Sequence, residues 1–154
     1  MGAVFFYHLT RRPLEATLPQ LLERSLERGW RVVVRGRNPD RMAWLDERLW
    51  LGPEDAFLPH GLSGGPHDAL QPVLLTTDPG LGADCLICVD GALPSVADAN
   101  AAERTCLLFD GGDASAVEAA RGTWKELSDA GCAAQYWSEE SGRWEMKRQT
   151  GPQS

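Results

Sequence analysis

Residues 3–35, AVFFYHLTRRPLEATLPQLLERSLERGWRVVVR, decide the architecture. The run AVFFYHL (3–9) is short, apolar and aromatic, and predicts a buried strand. Pro13 suits a helix start. Leu14, Leu18, Leu21, Leu22, Ser25 and Leu26 then recur at helical spacing until Gly29 ends the helix. WRVVVR (30–35), rich in β-branched residues, is the second strand. A strand, a helix and a second strand in succession are the start of an α/β fold.

The remainder continues the alternation. Asn38 is a natural N-cap and Pro39 a first helical residue, opening a helix that carries Trp44, Leu45, Leu49 and Trp50. GLSGGPHDALQ (61–71) holds three glycines and a proline and reads as a surface loop. PVLLTT (72–77) and 84–89 are strands, with a short helix or turn after Pro94, and TCLLF (105–109) is a further strand. Asp113 can cap a long helix carrying Val117, Ala120, Trp124 and Leu127 until Gly131. Residues 134–137 and 143–146 flank SEESG and predict a hairpin. The expected fold is a three-layer α/β sandwich around a mostly parallel sheet, with a C-terminal β-hairpin. Residues 1–148 form one domain in this reading, and 149–154 a disordered tail.

The chain has 154 residues, 43% apolar and 24% charged, with a net charge of −7. That balance supports one folded core. It opposes broad binding to a phosphate backbone, which needs a basic footprint. If the chain works near DNA, contact is expected only indirectly, through another protein. No run reaches the roughly 20 apolar residues of a membrane span. The N-terminus lacks the basic region of a secretory signal. Met-Gly is followed at position 6 by Phe rather than Ser or Thr, unlike a myristoylation signal. The expected location is cytoplasmic, with no membrane partner.

Cys85 and Cys88 have CxxC spacing inside DCLICVD (84–90). Residues three apart on a strand face opposite ways, so buried reduced thiols are expected, not a metal or redox site. His60 and His67 flank the glycine-rich loop and His67-Asp68 could supply two metal ligands, but no third stands at helical or hairpin spacing. There is no GxxxxGK[ST] loop and no GxGxxG after the first strand. Ser63 in GLSGG follows a loop, not the strand a nucleophile elbow needs. Asp78, Asp90 and Asp110 end predicted strands, where α/β enzymes place carboxylates. The alternative function is a small hydrolase or phosphatase using Asp110 and its neighbours, yet aspartates also end strands by making turns and caps. Six tryptophans allow a third reading, a direct single-strand binder. The acidic balance speaks against it. No cofactor is expected.

Arg121, Trp124 and Lys125 lie at i, i+3 and i+4 and share a helical face. Two cations beside an indole suit an acidic peptide with an aromatic anchor. By spacing alone Trp124 is more simply a core residue with solvated neighbours.

LDERLWLGPEDAFLPH (45–60) concentrates aromatic and apolar residues without a nucleophile, phosphate cradle or metal spacing. With FFYHL (5–9), PVLLTT (72–77) and ARGTWKELSDAG (120–131), it resembles the chi subunit family of bacterial DNA polymerase III holoenzyme. The resemblance spans nearly the whole chain, and the LDExLWxxPxxxFxPHxL pattern is its specific part. It implies a non-catalytic accessory subunit with no cofactor, bridging the clamp loader to single-stranded-DNA-binding protein during replication. Arg121, Trp124 and Lys125 match the family's site for the acidic, phenylalanine-ended tail of that protein, with Trp124 where some relatives have tyrosine. The match implies that Trp124 is partly exposed beside a groove. It also implies a second surface, including Trp50, Phe57 and Pro59, for the psi subunit or a helicase. The hairpin YWSEESGRWEMK (136–147) is longer than in the best-known relatives, and no role is assigned to it.

Overall fold

The computed structural model describes residues 3–10, 14–50, 60–62, 72–78, 83–139 and 144–150. The elements run β1 (Ala3–Leu9), α1 (Leu14–Glu27), β2 (Val32–Arg35), α2 (Pro39–Trp50), β3 (His60–Leu62), β4 (Val73–Thr76), β5 (Cys85–Cys88), α3 (Val96–Ala101), β6 (Arg104–Asp110), α4 (Ala114–Asp129), β7 (Ala134–Ser138) and β8 (Glu145–Thr150). The strands form one sheet in the order β3-β4-β2-β5-β6-β1-β7-β8. Every neighbouring pair is parallel except β7 and β8. The expected three-layer α/β sandwich with a C-terminal hairpin is the fold observed.

Chain direction explains the layers. The crossovers through α1 and α2 step toward the β3 edge, whereas those through α3 and α4 step toward the β8 edge. Crossovers of one hand that reverse direction must put their helices on opposite faces. One core accordingly joins Leu18 and Leu22 of α1, Leu45 of α2, and Val32 and Val34. The other joins Val33, Leu86 and Phe6 to Ala99 of α3 and to Ala120, Trp124 and Leu127 of α4. Central strands covered on both sides are apolar at successive positions, and β2, β4 and β5 are buried throughout.

Helix ends follow the sequence closely. The Asn38 side chain accepts from the Asp40 amide at 2.8 Å, and Asp113 accepts from the Ser115 and Ala116 amides. Gly29 and Gly131 follow α1 and α4 with φ of 79° and 82°, a left-handed turn that favours glycine. Ser95 and Asp98 form a reciprocal capping box on α3.

Two expectations need correction. Residues 61 and 62 fall in the expected surface loop, but His60–Leu62 is a strand paired in register with β4. Three residues, one of them glycine, carry no periodic signal of their own. Gln149 and Thr150, assigned to a disordered tail, belong to β8, where Gln149 opposes Gln135 and Thr150 opposes Ala134. Their polarity reflects an exposed edge strand, which needs no apolar face.

Strand alternation separates the cysteines. Cys85 packs in the core beneath α1 and α2, and Cys88 in the core beneath α3 and α4. All four cysteines are buried and unbridged. Burial pushes the Cys88 thiol up to about 12, though the neighbouring Arg35 guanidinium opposes the rise.

Candidate functional site

The face of α4 that carries the sequence-predicted residues meets β7 and β8 along a groove of about 710 Å³. Arg121, Trp124, Lys125, Ser128 and Asp129 of α4 line one side, and Tyr136 of β7 with residues 147–150 of β8 the other. Helical spacing brings Arg121, Trp124 and Lys125 together. Sheet register brings Tyr136, since Phe6 of β1 pairs directly with it.

Arg121 and Lys125 are exposed, as their spacing requires. Trp124 is not the half-open ring that the resemblance implies. It is only 9% exposed and belongs to the core, as its apolar spacing alone predicts. Its ring stands edge-on to Phe6 at 5.2 Å and to Tyr136 at 6.1 Å. The indole thus forms the groove's aromatic base. Above it lies the Arg148 guanidinium, 5.6 Å from the ring centroid, within cation–π range.

Tyr136 is firmly held. Its hydroxyl lies 2.6 Å from His8 Nδ1, and the His8 ring lies against Phe109 and Tyr136 with centroids 5.1 and 5.8 Å away. Four cations, Arg121, Lys125, Lys147 and Arg148, line the groove against one carboxylate, Asp129. In a protein of net charge −7 this is a local reversal of sign, suited to attracting an anionic partner. The sequence reading missed Tyr136, Lys147 and Arg148. The available signal was the Lys147-Arg148 pair in the middle of EMKRQT, but only strand pairing places it beside α4.

A second opening of about 900 Å³ lies at the carboxyl ends of β1, β2, β5 and β6 and is lined by Thr10, Arg37, Asp90, Asp110 and Asp113, among others. Such a place, where crossovers leave in opposite directions, holds ligands in many α/β proteins. Here the three carboxylates have structural partners. Asp110 accepts from the Gly112 amide at 2.8 Å, and Asp113 caps α4. Asp90 meets Arg41 at 3.2 and 3.3 Å. The turn-and-cap role is therefore the one this geometry supports for Asp110. Among the described residues no three His, Cys, Asp or Glu side chains are grouped to hold a metal, and no helix is long and apolar enough to cross a membrane.

The other expected surface is not open to the same description. The backbone of Trp50 ends α2, but its side chain, together with Phe57 and Pro59, lies outside the described residues. So do Ser63, His67 and Asp68, and the side chain of His60.

Comparison with curated proteins finds none that matches. The family model described as DNA polymerase III chi subunit, HolC, matches residues 1–135. That span takes in both helical layers and all of the sheet up to the start of β7, leaving β8 beyond it. The chain belongs to the DNA polymerase III chi subunit family, whose members are accessory subunits of the replicative holoenzyme.

Proposed function

We propose that this protein is a non-catalytic adaptor that couples the clamp-loader assembly of the replicase to the acidic, phenylalanine-ended tail of single-stranded-DNA-binding protein. The observation that carries this reading is the α4 groove, where Arg121 and Lys125 flank an aromatic base in an otherwise acidic protein. Arg121 holds a tail carboxylate by paired hydrogen bonds. Lys125 adds a longer-range attraction that salt screens. Trp124 and Tyr136 offer apolar contact to the terminal phenylalanine ring. A second surface, with Trp50, Phe57 and Pro59 in the family's LDERLWLGPEDAFLPH segment, binds psi or another subunit of the assembly. Contact with DNA is then indirect.

Calorimetry with a peptide ending in acidic residues and phenylalanine tests the first site. The expected dissociation constant is about micromolar, and affinity falls as salt is raised. Arg121→Ala abolishes measurable binding, whereas Phe57→Ala leaves the peptide affinity intact. Absence of binding by the wild-type protein at low salt would remove the proposal.

A further inference from the structure

We propose that β8, which lies beyond the family match, is a working wall of the peptide groove, with Lys147 and Arg148 binding acidic residues upstream of the partner's terminal phenylalanine. This rests on the peptide-binding reading of the α4 face. The strand is positioned by a local irregularity. Tyr136 opposes Arg148, but the next residue, Trp137, opposes Met146, so Lys147 is one residue too many for a regular ladder. An extra residue of this kind shifts the alternation of the strand and re-aims its side chains. Without it, Lys147 would stand opposite Tyr136 and Arg148 would take the other face. With it, Arg148 shares the Tyr136 side of the sheet and reaches over Trp124, its guanidinium carbon 5.6 Å from the ring.

Two further observations favour a charged ligand over a purely structural role. Both side chains are exposed, so they add little to the core. Lys147 meets Glu145 at 3.4 Å, but this pair is exposed on both sides and is easily exchanged for a ligand carboxylate. The strand is anchored from elsewhere: Trp144, just before it, stands edge-on to Tyr7 of β1 with ring centroids 5.3 Å apart. The anchoring aromatic and the groove-facing cations are thus separate parts of one hairpin.

The charges on β8 stand across the groove from Arg121 and Lys125. A short tail can satisfy the α4 side alone; a longer acidic segment meets both walls. The test is calorimetry of the full chain with two peptides that share the same terminal phenylalanine. One carries two acidic residues, and the other carries five. The double variant Lys147→Ala/Arg148→Ala should bind the longer peptide about tenfold more weakly at low salt, with a difference that shrinks at high salt. Its affinity for the shorter peptide should fall by a smaller factor, about threefold at most. Charge reversal, Lys147→Glu/Arg148→Glu, should weaken the longer peptide further, and unchanged thermal melting confirms that the sheet is intact. If both double variants bind the longer peptide as the wild type does while Arg121→Ala abolishes binding, β8 is a bystander and the α4 site stands. If the wild type binds neither peptide, the α4 reading fails and this inference fails with it.

Discussion

Trp124→Ala should lower the unfolding free energy by about 3–5 kcal/mol, the cost of removing a large buried aromatic side chain. Trp124 is 9% exposed and packs edge-on against Phe6 and Tyr136, so its removal loses apolar burial and two aromatic contacts together. The cavity would lie between α4 and the sheet, where Ala120 and Leu127 also pack. Trp124→Phe keeps a ring in the same place and should cost less than about 2 kcal/mol. Urea denaturation monitored by circular dichroism measures both. A loss below about 1 kcal/mol for the alanine variant would show that the ring is peripheral. The result also bears on function. Weakened peptide binding by Trp124→Ala would mix lost contact with lost structure, whereas Arg121→Ala, at an exposed position, should change stability by no more than about 0.5 kcal/mol.

The second large effect belongs to Arg35 and Asp98, remote from the groove. Arg35 ends β2 and is 6% exposed, and its guanidinium meets the Asp98 carboxylate in a two-pronged contact of 2.9 and 3.3 Å. Asp98 also accepts from the Ser95 amide at 2.9 Å, closing the α3 capping box. Asp98→Ala leaves a buried cation without this partner and opens the cap. Breaking a buried pair costs about 3–5 kcal/mol, and the 20% exposure of the Asp98 side chain points to the lower end. Burial opposes ionisation of Asp98, but hydrogen bonds from Arg35 and Ser95 outweigh it and hold the carboxyl below its ordinary 3.8. A carboxyl depressed in the folded state stabilises the fold above its unfolded pKa, and the benefit is lost as pH falls through the folded pKa. The difference between wild type and Asp98→Ala should therefore be full at neutral pH and shrink below about pH 4. Denaturation curves at pH 7 and pH 3 read it directly, and an equal difference at both would contradict the assignment.

What could be read from the sequence was whatever depends on near neighbours. AVFFYHL gave β1 to the residue, because a short apolar run closed by the polar Thr10-Arg11-Arg12 has few other uses. Asn38 and Asp113 marked the starts of α2 and α4, because capping is a contact across two or three residues. The opposite facing of Cys85 and Cys88 followed from the period of a strand. The Arg121-Trp124-Lys125 face was legible for the same reason. Features made by pairing distant segments were not. His8 and Tyr136 are 128 residues apart in the chain and 2.6 Å apart in space. The single extra residue that turns Arg148 toward Trp124 depends on the β7–β8 register. Spacing gave the face on which Trp124 lies, and the family pattern suggested an open ring. Its depth was set by Phe6 and Tyr136, which come from strands β1 and β7.

The most direct test of the peptide-binding account is a nuclear magnetic resonance titration of the isotopically labelled protein with the acidic, phenylalanine-ended peptide. The account predicts saturable shifts at the Trp124 indole, at the Arg121 and Lys125 amides and along Tyr136 to Arg148, with the carboxyl-end opening around Asp90 and Asp110 unmoved. Shifts confined to that opening, or to the α1 and α2 face, would contradict it.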